Sequence, residues 1–314
     1  MRILLIQLRQ LGDILLTTPC IRAVRQAMPE AEIDFCSHPM GKLILSRNPH
    51  INKLIPYYFG NSPNEHWRYL RELRQRNYDI VVDFMNNPRS ALISYASGAE
   101  TRVGFLSSRS LAYNLVIAKP SDNQYIVRKK FALLQPLGID AQDLSLVFPC
   151  ESSKLIDDFL RPIRENYQKT IVFSPTHRRE VRQWPLENYA RLAKELQAKH
   201  QAAVIWLWGP GEREMIEACQ KLASGAGFIA PETDLHELGY LIGQAQLFIG
   251  NSNGPSHLAV AANTPSIQLH GPTKGVAWCP DSERHQFLQS RTGHMSDISW
   301  EGVLELAKRL LSDA

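Results

Sequence analysis

The chain has 314 residues, 44% of them hydrophobic and 21% charged, with a formal net charge of +4. That length suits two domains of ordinary size, and no apolar run approaches the roughly 20 residues that span a bilayer. The mildly basic balance fits an anionic substrate or an anionic membrane surface, but not nucleic acid, for which a Lys/Arg run with interleaved aromatics is missing. Five scattered cysteines form no CxxC pair and argue for reduced core thiols rather than a zinc site or a disulfide framework. The opening MRILLIQLRQ is too short in its apolar part for a signal peptide, so the expectation is a first buried strand and a cytoplasmic protein.

The predicted elements alternate apolar strands with amphipathic helices. Residues 2–8 (RILLIQL) read as a strand. Residues 18–29 (TPCIRAVRQAMP) read as a helix capped at Thr18, with Pro19 in its first turn and Ile21, Val24 and Met28 on its inner face. A strand at 32–38, a charged helix at 66–78, a strand at 79–85, a helix at 89–99 and a strand at 101–105 follow. The pattern restarts with strands at 170–175, 202–209, 227–230, 246–252 and 265–271, separated by helices at 185–200, 211–223, 234–245 and 254–263. It closes with a helix over 296–314 that Asp297 is placed to cap. Residues 150–168, polar and charged, read as a seam between the halves. Such alternation implies parallel sheets covered on both faces. The fold class expected is α/β: two Rossmann-like domains with a cleft between them, and ligands beyond the carboxyl ends of the strands.

Several motifs are missing. No GxGxxG follows the first strand, and there is no Walker A, HExxH, GxSxG or DxD pattern. Dinucleotide, NTPase, metalloprotease and esterase readings are therefore unsupported, and no metal site is predicted.

Three loops carry the chemistry. In the first (9–19, RQLGDILLTTP), Gly12 permits a tight turn and Asp13 stands at the carboxyl end of the first strand. By itself Asp13 reads equally as a first-turn acid favoured by the helix dipole and as a catalytic carboxylate. The second (174–189, SPTHRREVRQWPLENY) gathers Arg178, Arg179 and Arg182 just after a strand, where guanidinium and backbone N–H groups suit a diphosphate. Its alternative is a solvated basic turn, and Trp184 reads as core packing. The third (250–265, GNSNGPSHLAVAANTP) opens a small-residue helix at Gly254-Pro255 and offers free N–H groups at its positive end. Ser252, Asn253 and Ser256 add neutral donors, while His257 alone reads as a packing residue. Together these features suit an anion with neighbouring hydroxyls, as in a nucleotide-sugar diphosphate.

In this order and spacing, the three loops resemble glycosyltransferase family 9, the lipopolysaccharide heptosyltransferases, over nearly the whole chain. LGDILLTTPCIRAVRQAMPEAEID is similar to the start of the heptosyltransferase III type. GNSNGPSHLAVAANTPSIQLHGPT is similar to the family pattern GNDSGPxHLAAA…TP…GPT. The resemblance implies a GT-B fold with domains at 1–152 and 169–295 and a last helix, 296–314, that packs back toward the first domain. It implies an inverting, metal-independent transfer of heptose from ADP-L-glycero-D-manno-heptose to the lipopolysaccharide inner core of a Gram-negative bacterium. It also implies no cofactor, and the basic surface suggests loose attachment to the inner membrane, where the core is assembled.

Residue by residue, Asp13 matches the catalytic base of that family. Gly12, Thr176, His177, Arg178, Arg182, Ser252, Asn253, Gly254, Pro255, Ser256 and His257 fall on the donor loops. The acceptor is anionic, and Arg89, Arg102, Arg109, Arg128, Lys129 and Lys130 are the candidate contacts in the first domain. Two positions depart from the pattern: Arg182 replaces a Lys, and Ser252 replaces an Asp that contacts the donor. The second keeps open a hexose or N-acetylhexosamine donor, or a nucleotide-sugar-binding protein without catalysis. A nucleotide-sugar epimerase of the same fold, needing no acceptor, is a third alternative.

Overall fold

The computed structural model describes residues 1–60, 62–140 and 142–312. The chain divides into two compact units, Met1–Pro149 and Cys150–Ala314. In the first, β1 (Arg2–Ile6), β2 (Glu32–Ser37), β3 (Lys53–Pro56), β4 (Ile80–Asp83), β5 (Thr101–Phe105) and β6 (Leu115–Ile117) form one parallel sheet in the order β3-β2-β1-β4-β5-β6. Its helices are α1 (Leu11–Leu15), α2 (Thr18–Ala27), α3 (Lys42–Leu45), α4 (Pro63–Arg74), α5 (Pro88–Ser97) and α6 (Ile126–Phe131).

In the second unit, β7 (Lys169–Ser174), β8 (Ala202–Trp206), β9 (Phe228–Ile229), β10 (Leu247–Asn251), β11 (Ser266–His270) and β12 (His285–Gln289) pair in the order β12-β11-β10-β7-β8-β9. Around them run α7 (Lys154–Asn166), α8 (Leu186–His200), α9 (Arg213–Leu222), α10 (Leu235–Gly243), α11 (Gly254–Ala261), α12 (Gly275–Trp278) and α13 (Trp300–Ser312).

Counted within each unit, the two strand orders are the same, the doubly wound Rossmann order. The first strand of each lies between the second and the fourth, so the winding reverses between β1 and β4 and again between β7 and β10. Central strands are continuously apolar because helices cover both faces. Ile3 to Ile6 of β1 and Ala202 to Trp206 of β8 are fully buried. Register is fixed on both sides, with Leu4 opposite Asp34 of β2 and Val81 of β4.

Several expected boundaries shift. Thr17, not Thr18, precedes α2; Thr18 lies inside the helix and donates its hydroxyl to the Leu15 carbonyl at 2.7 Å. The stretch read as a seam holds α7, whose Ile156, Leu160 and Ile163 are buried at helical spacing. The last helix, expected over 296–314, begins at Trp300. It buries Val303, Leu304, Ala307, Leu310 and Leu311 in the core of the second unit, and residues 313 and 314 lie outside the described residues. Asp297 does not cap it but accepts the Thr292 N–H at 3.2 Å, while the Ser299 hydroxyl accepts the Gly302 N–H at 3.2 Å.

Candidate active site

In the first unit, Asp13 stands where the winding reverses. The chain leaves β1 and enters the one-turn helix α1, which carries Asp13 half-buried. Its carboxylate accepts the Gln10 N–H at 3.5 Å, and its carbonyl accepts the Thr17 hydroxyl at 2.7 Å. Gly12 lies within α1 and is not among the glycines of positive φ, so the tight turn expected of it is absent. Burial lifts the Asp13 carboxyl above its ordinary value; the Lys130 charge and the Gln10 N–H oppose that shift.

Beside it, β4 ends in Asp83, fully buried and richly satisfied. One oxygen accepts the Met85 and Asn86 N–H groups at 2.9 Å each, and the other accepts the Tyr113 hydroxyl at 2.7 Å. Gly104 makes the tyrosine contact possible, because a Cβ there would lie 2.5 Å from the Tyr113 ring. Asn86 adopts φ +52° to turn the chain out of the strand, a conformation Asn tolerates.

The basic residues proposed for an anionic acceptor divide by orientation. Arg89 and Arg128 are exposed, and the Arg89 guanidinium lies 5.0 Å from the Phe59 ring centroid. Arg109 is half-exposed and donates to the Asn86 carbonyl at 3.2 Å. The other three turn inward. Arg102 donates to the carbonyls of Ala112 (2.9 Å) and Ala99 (2.5 Å), so its guanidinium braces the segments flanking β5 rather than a ligand. Lys129 pairs with Asp122 at 2.5 Å, and Lys130 is buried and donates to Gln7 Oε1 at 2.8 Å. Sequence reasoning missed Arg9, His38 and Phe59. Arg9 stacks 3.8 Å from the Phe59 ring centroid and His38 stacks on the same ring at 5.6 Å, beside a hollow that Leu11 and Ile14 of α1 also line. Nothing local in the sequence signals this grouping, because three separate strand ends supply it.

In the second unit, the two loops expected to hold the donor meet where the winding reverses between β7 and β10. Asn251, fully buried, ties them: its Oδ1 accepts the Trp184 N–H at 2.9 Å, and its Nδ2 donates to the Pro175 carbonyl at 2.8 Å. Asn253 adds bonds from Nδ2 to the Ser174 hydroxyl (3.0 Å) and the Thr176 carbonyl (3.1 Å). Asn253 is also the N-cap of α11 and exchanges hydrogen bonds with Ser256. Ser256 is fully buried, and its hydroxyl donates to the Asn253 carbonyl at 2.7 Å, so it shapes the helix end and does not face a ligand. Thr176 is likewise committed, donating to Glu212 Oε2 at 2.6 Å.

Ser252 and Pro255 are half-buried and Gly254 is exposed at the positive end of α11. Arg178 and Arg179 are exposed and Arg182 is half-buried. The His177 N–H is held by Gln183 Oε1 at 3.0 Å; burial and the Arg182 charge lower its ring pKa. His257 is buried with Nδ1 unpartnered, its ring centroid 6.1 Å from that of Trp278, and burial lowers its pKa to about 4. His270, at the end of β11, is pushed to about 3 by burial and by the charges of His257 and Arg182. Trp184 packs in the core as expected, its indole N–H donating to the Ile298 carbonyl at 2.8 Å. Among the described residues, no group of three or more His, Cys, Asp or Glu is arranged to hold a metal ion.

The lipopolysaccharide heptosyltransferase 3 of Escherichia coli (strain K12) is 28% identical, over 97% of this chain and 92% of that protein. The fold matches the crystal structure of a family 9 glycosyl transferase from Veillonella parvula (TM-score 0.83, 20% identity, 100% of this chain and 97% of that one). It also matches E. coli heptosyltransferase WaaC solved with ADP-2-deoxy-2-fluoro heptose (TM-score 0.76, 21% identity, 98% and 99%). These are two-domain Rossmann-like structures of the GT-B fold. The family model described as glycosyltransferase family 9 (heptosyltransferase) matches residues 66–307, and the chain belongs to that family of glycosyltransferases.

Proposed function

We propose that the protein transfers heptose from ADP-L-glycero-D-manno-heptose to a hydroxyl of the lipopolysaccharide inner core, with inversion, without a metal, and with Asp13 as general base. The observation that carries this is the placement of Asp13 at the reversal point of the first sheet, on a short helix that follows β1. The carboxylate takes the proton of the acceptor hydroxyl as its oxygen bonds to the anomeric carbon. The bond from that carbon to the diphosphate oxygen breaks on the opposite face, and ADP leaves with the electron pair. The charge gathering on the diphosphate needs fixed donors. Arg182, Arg178 and the positive end of α11 are available for it, on two loops tied together by Asn251. Arg89, Arg109 and Arg128 remain as acceptor contacts, joined by Arg9. Because that acceptor is lipid-linked, the reading includes peripheral contact with the inner membrane. Among the described residues, no helix is long and apolar enough to cross one.

A second reading rests on Ser252. A hydroxyl accepts hydrogen bonds from a sugar more weakly than the carboxylate of the family pattern, which favours a hexose or N-acetylhexosamine donor. Calorimetric titration with ADP, UDP, ADP-heptose and UDP-N-acetylglucosamine in EDTA separates the two. Tight ADP-type binding supports heptosyl transfer, and a uridine preference overturns it. Loss of transfer in Asp13→Asn with ADP binding retained supports the base assignment, and retained transfer overturns it.

A further inference from the structure

Between Cys36 and Gly60 the chain carries Lys42, Arg47 and Lys53 and no aspartate or glutamate. This run leaves β2 through a turn at Pro39–Gly41, forms the four-residue helix α3 and returns as the edge strand β3. The turn sits close on the sheet, because a Cβ at Gly41 would overlap Ser37 at the end of β2. Ile44 and Leu45 of α3 are buried, which leaves Lys42 and Leu43 outward. Met40 is 52% exposed, Leu43 39% and Tyr58 52%. One such side chain alone would need no explanation, but three on a basic, acid-free segment mark an interaction surface.

Lys42, Ser46, Asn48, Lys53, Pro56 and Tyr58 line a hollow of about 500 Å³ between α3 and β3. Asn48 is 6% exposed. Its Oδ1 accepts the His50 N–H at 2.9 Å, which fixes the orientation of the amide, and its buried Nδ2 has no partner. Buried polar groups are nearly always paired, and an acceptor entering the hollow would pair this one. The lysines select an anionic acceptor. Lys42 forms no ion pair among the described residues, and Lys53 approaches only Glu32 Oε1, at 4.0 Å, while Arg2 holds the other oxygen of Glu32 at 2.9 Å. A phosphate ester, with several acceptor oxygens, suits one amide and two ammonium groups. A free anion would make no use of Met40, Leu43 and Tyr58, whereas an anionic lipid surface meets the charge and the apolar side chains together.

We propose that the α3 ridge is the surface on which the protein docks to an anionic lipid bilayer. Met40 and Leu43 enter the boundary between headgroups and acyl chains, and a lipid phosphate is held in the hollow by Asn48, Lys42 and Lys53. This rests on the reading that the acceptor is lipid-linked. Met40 and Gly41 also line the hollow formed with Leu11 and Ile14 of α1, so the docked ridge adjoins the helix that carries Asp13.

The test is cosedimentation of the full chain with vesicles of phosphatidylcholine, alone or mixed with phosphatidylglycerol. The unaltered chain should bind the mixed vesicles and not the neutral ones. Lys42→Gln/Lys53→Gln should weaken that binding about fivefold per lysine removed, and Met40→Ser/Leu43→Ser by about tenfold or more. All four side chains are exposed, so both variants should fold and keep their ADP affinity. Equal binding to both vesicle types, or variants that bind like the unaltered chain, overturns the proposal. Calorimetric binding of inorganic phosphate that depends on Lys42 and Lys53, with vesicle binding unchanged in their variant, means that the hollow holds a free anion and also overturns it. Transfer from ADP-heptose to a soluble, delipidated core oligosaccharide reads the proposed function separately. No transfer with the expected vesicle binding sinks that function and leaves the docking surface supported; transfer without vesicle binding sinks the docking surface alone.

Discussion

Asn251→Ala is the most informative single change in the second unit. It removes the side chain that joins the two donor loops and leaves two buried groups without their partner: the Trp184 N–H, held at 2.9 Å, and the Pro175 carbonyl, held at 2.8 Å. Each buried group left unsatisfied costs about 1–3 kcal/mol, which gives a destabilisation of about 3 kcal/mol. For a domain of this size that corresponds to a fall in Tm of about 6–12 °C. Urea denaturation and calorimetry measure it, and an ADP titration on the same preparation should show affinity reduced about tenfold, because the loop that carries Arg182 is no longer tied to Asn251. Asn251→Asp sharpens the test. It keeps an acceptor for Trp184 but sets a carboxylate oxygen against the Pro175 carbonyl, so it should be at least as destabilising as alanine. Stability of Asn251→Ala within about 0.5 kcal/mol of the unaltered protein would refute the reasoning.

Arg182→Ala should weaken ADP binding roughly tenfold or more at low salt, with Arg182→Lys recovering part of it; equal affinity in all three would remove Arg182 from the diphosphate. His257 is neutral when folded, with its pKa lowered to about 4, and takes a proton readily once unfolded. Its contribution to stability is therefore complete above pH ~6.5 and is lost as pH falls toward about 4. Urea midpoints at pH 7 and 4.5 should show a drop that His257→Gln reduces. Gly104→Ala should displace the Tyr113 ring, which a Cβ would meet at 2.5 Å, at a cost of about 1–3 kcal/mol. A Tm unchanged in that variant would mean that the ring moves freely and does not brace Asp83.

The central strands were legible because burial on both faces writes a continuous apolar run: RILLI, KTIVFS and AAVIW need no further clue. The edges were not. β3, β6 and β12 are short and partly exposed, and HQFLQ or KLIP reads as loop when one face meets solvent. Helix α7 was passed over because its charges outnumber its apolar residues, although Ile156, Leu160 and Ile163 keep helical spacing. In the site, residue types were legible and directions were not. RKK on α6 looks like one basic patch, yet Arg128 points outward while Lys129 and Lys130 are buried. Ser256 looked like a ligand donor because the sequence does not say that Asn253 will use it in a capping box. Asn251 falls among the polar residues that open the third loop, and its bonds to Trp184 and Pro175 cross gaps in sequence that no local pattern spans.

The tie made by Asn251 also bears on what the donor loop loses when it becomes ordered around a ligand. Fixing a free backbone residue costs about 1–2 kcal/mol, so a long unrestrained loop would spend much of its affinity on its own entropy. Here Thr176 is held at one end by Asn253 and Glu212, and Trp184 at the other by Asn251 and Ile298. Gln183 reaches back to the His177 N–H, which shortens the free span further. The run between, which carries the arginines, is itself turned by the Arg179 N–H on His177 Nδ1 at 2.9 Å and by a 3-10 turn over Glu180–Arg182. The ordering penalty is thus met largely when the unit folds, and in the proposed role the loop meets a diphosphate already close to the shape it keeps.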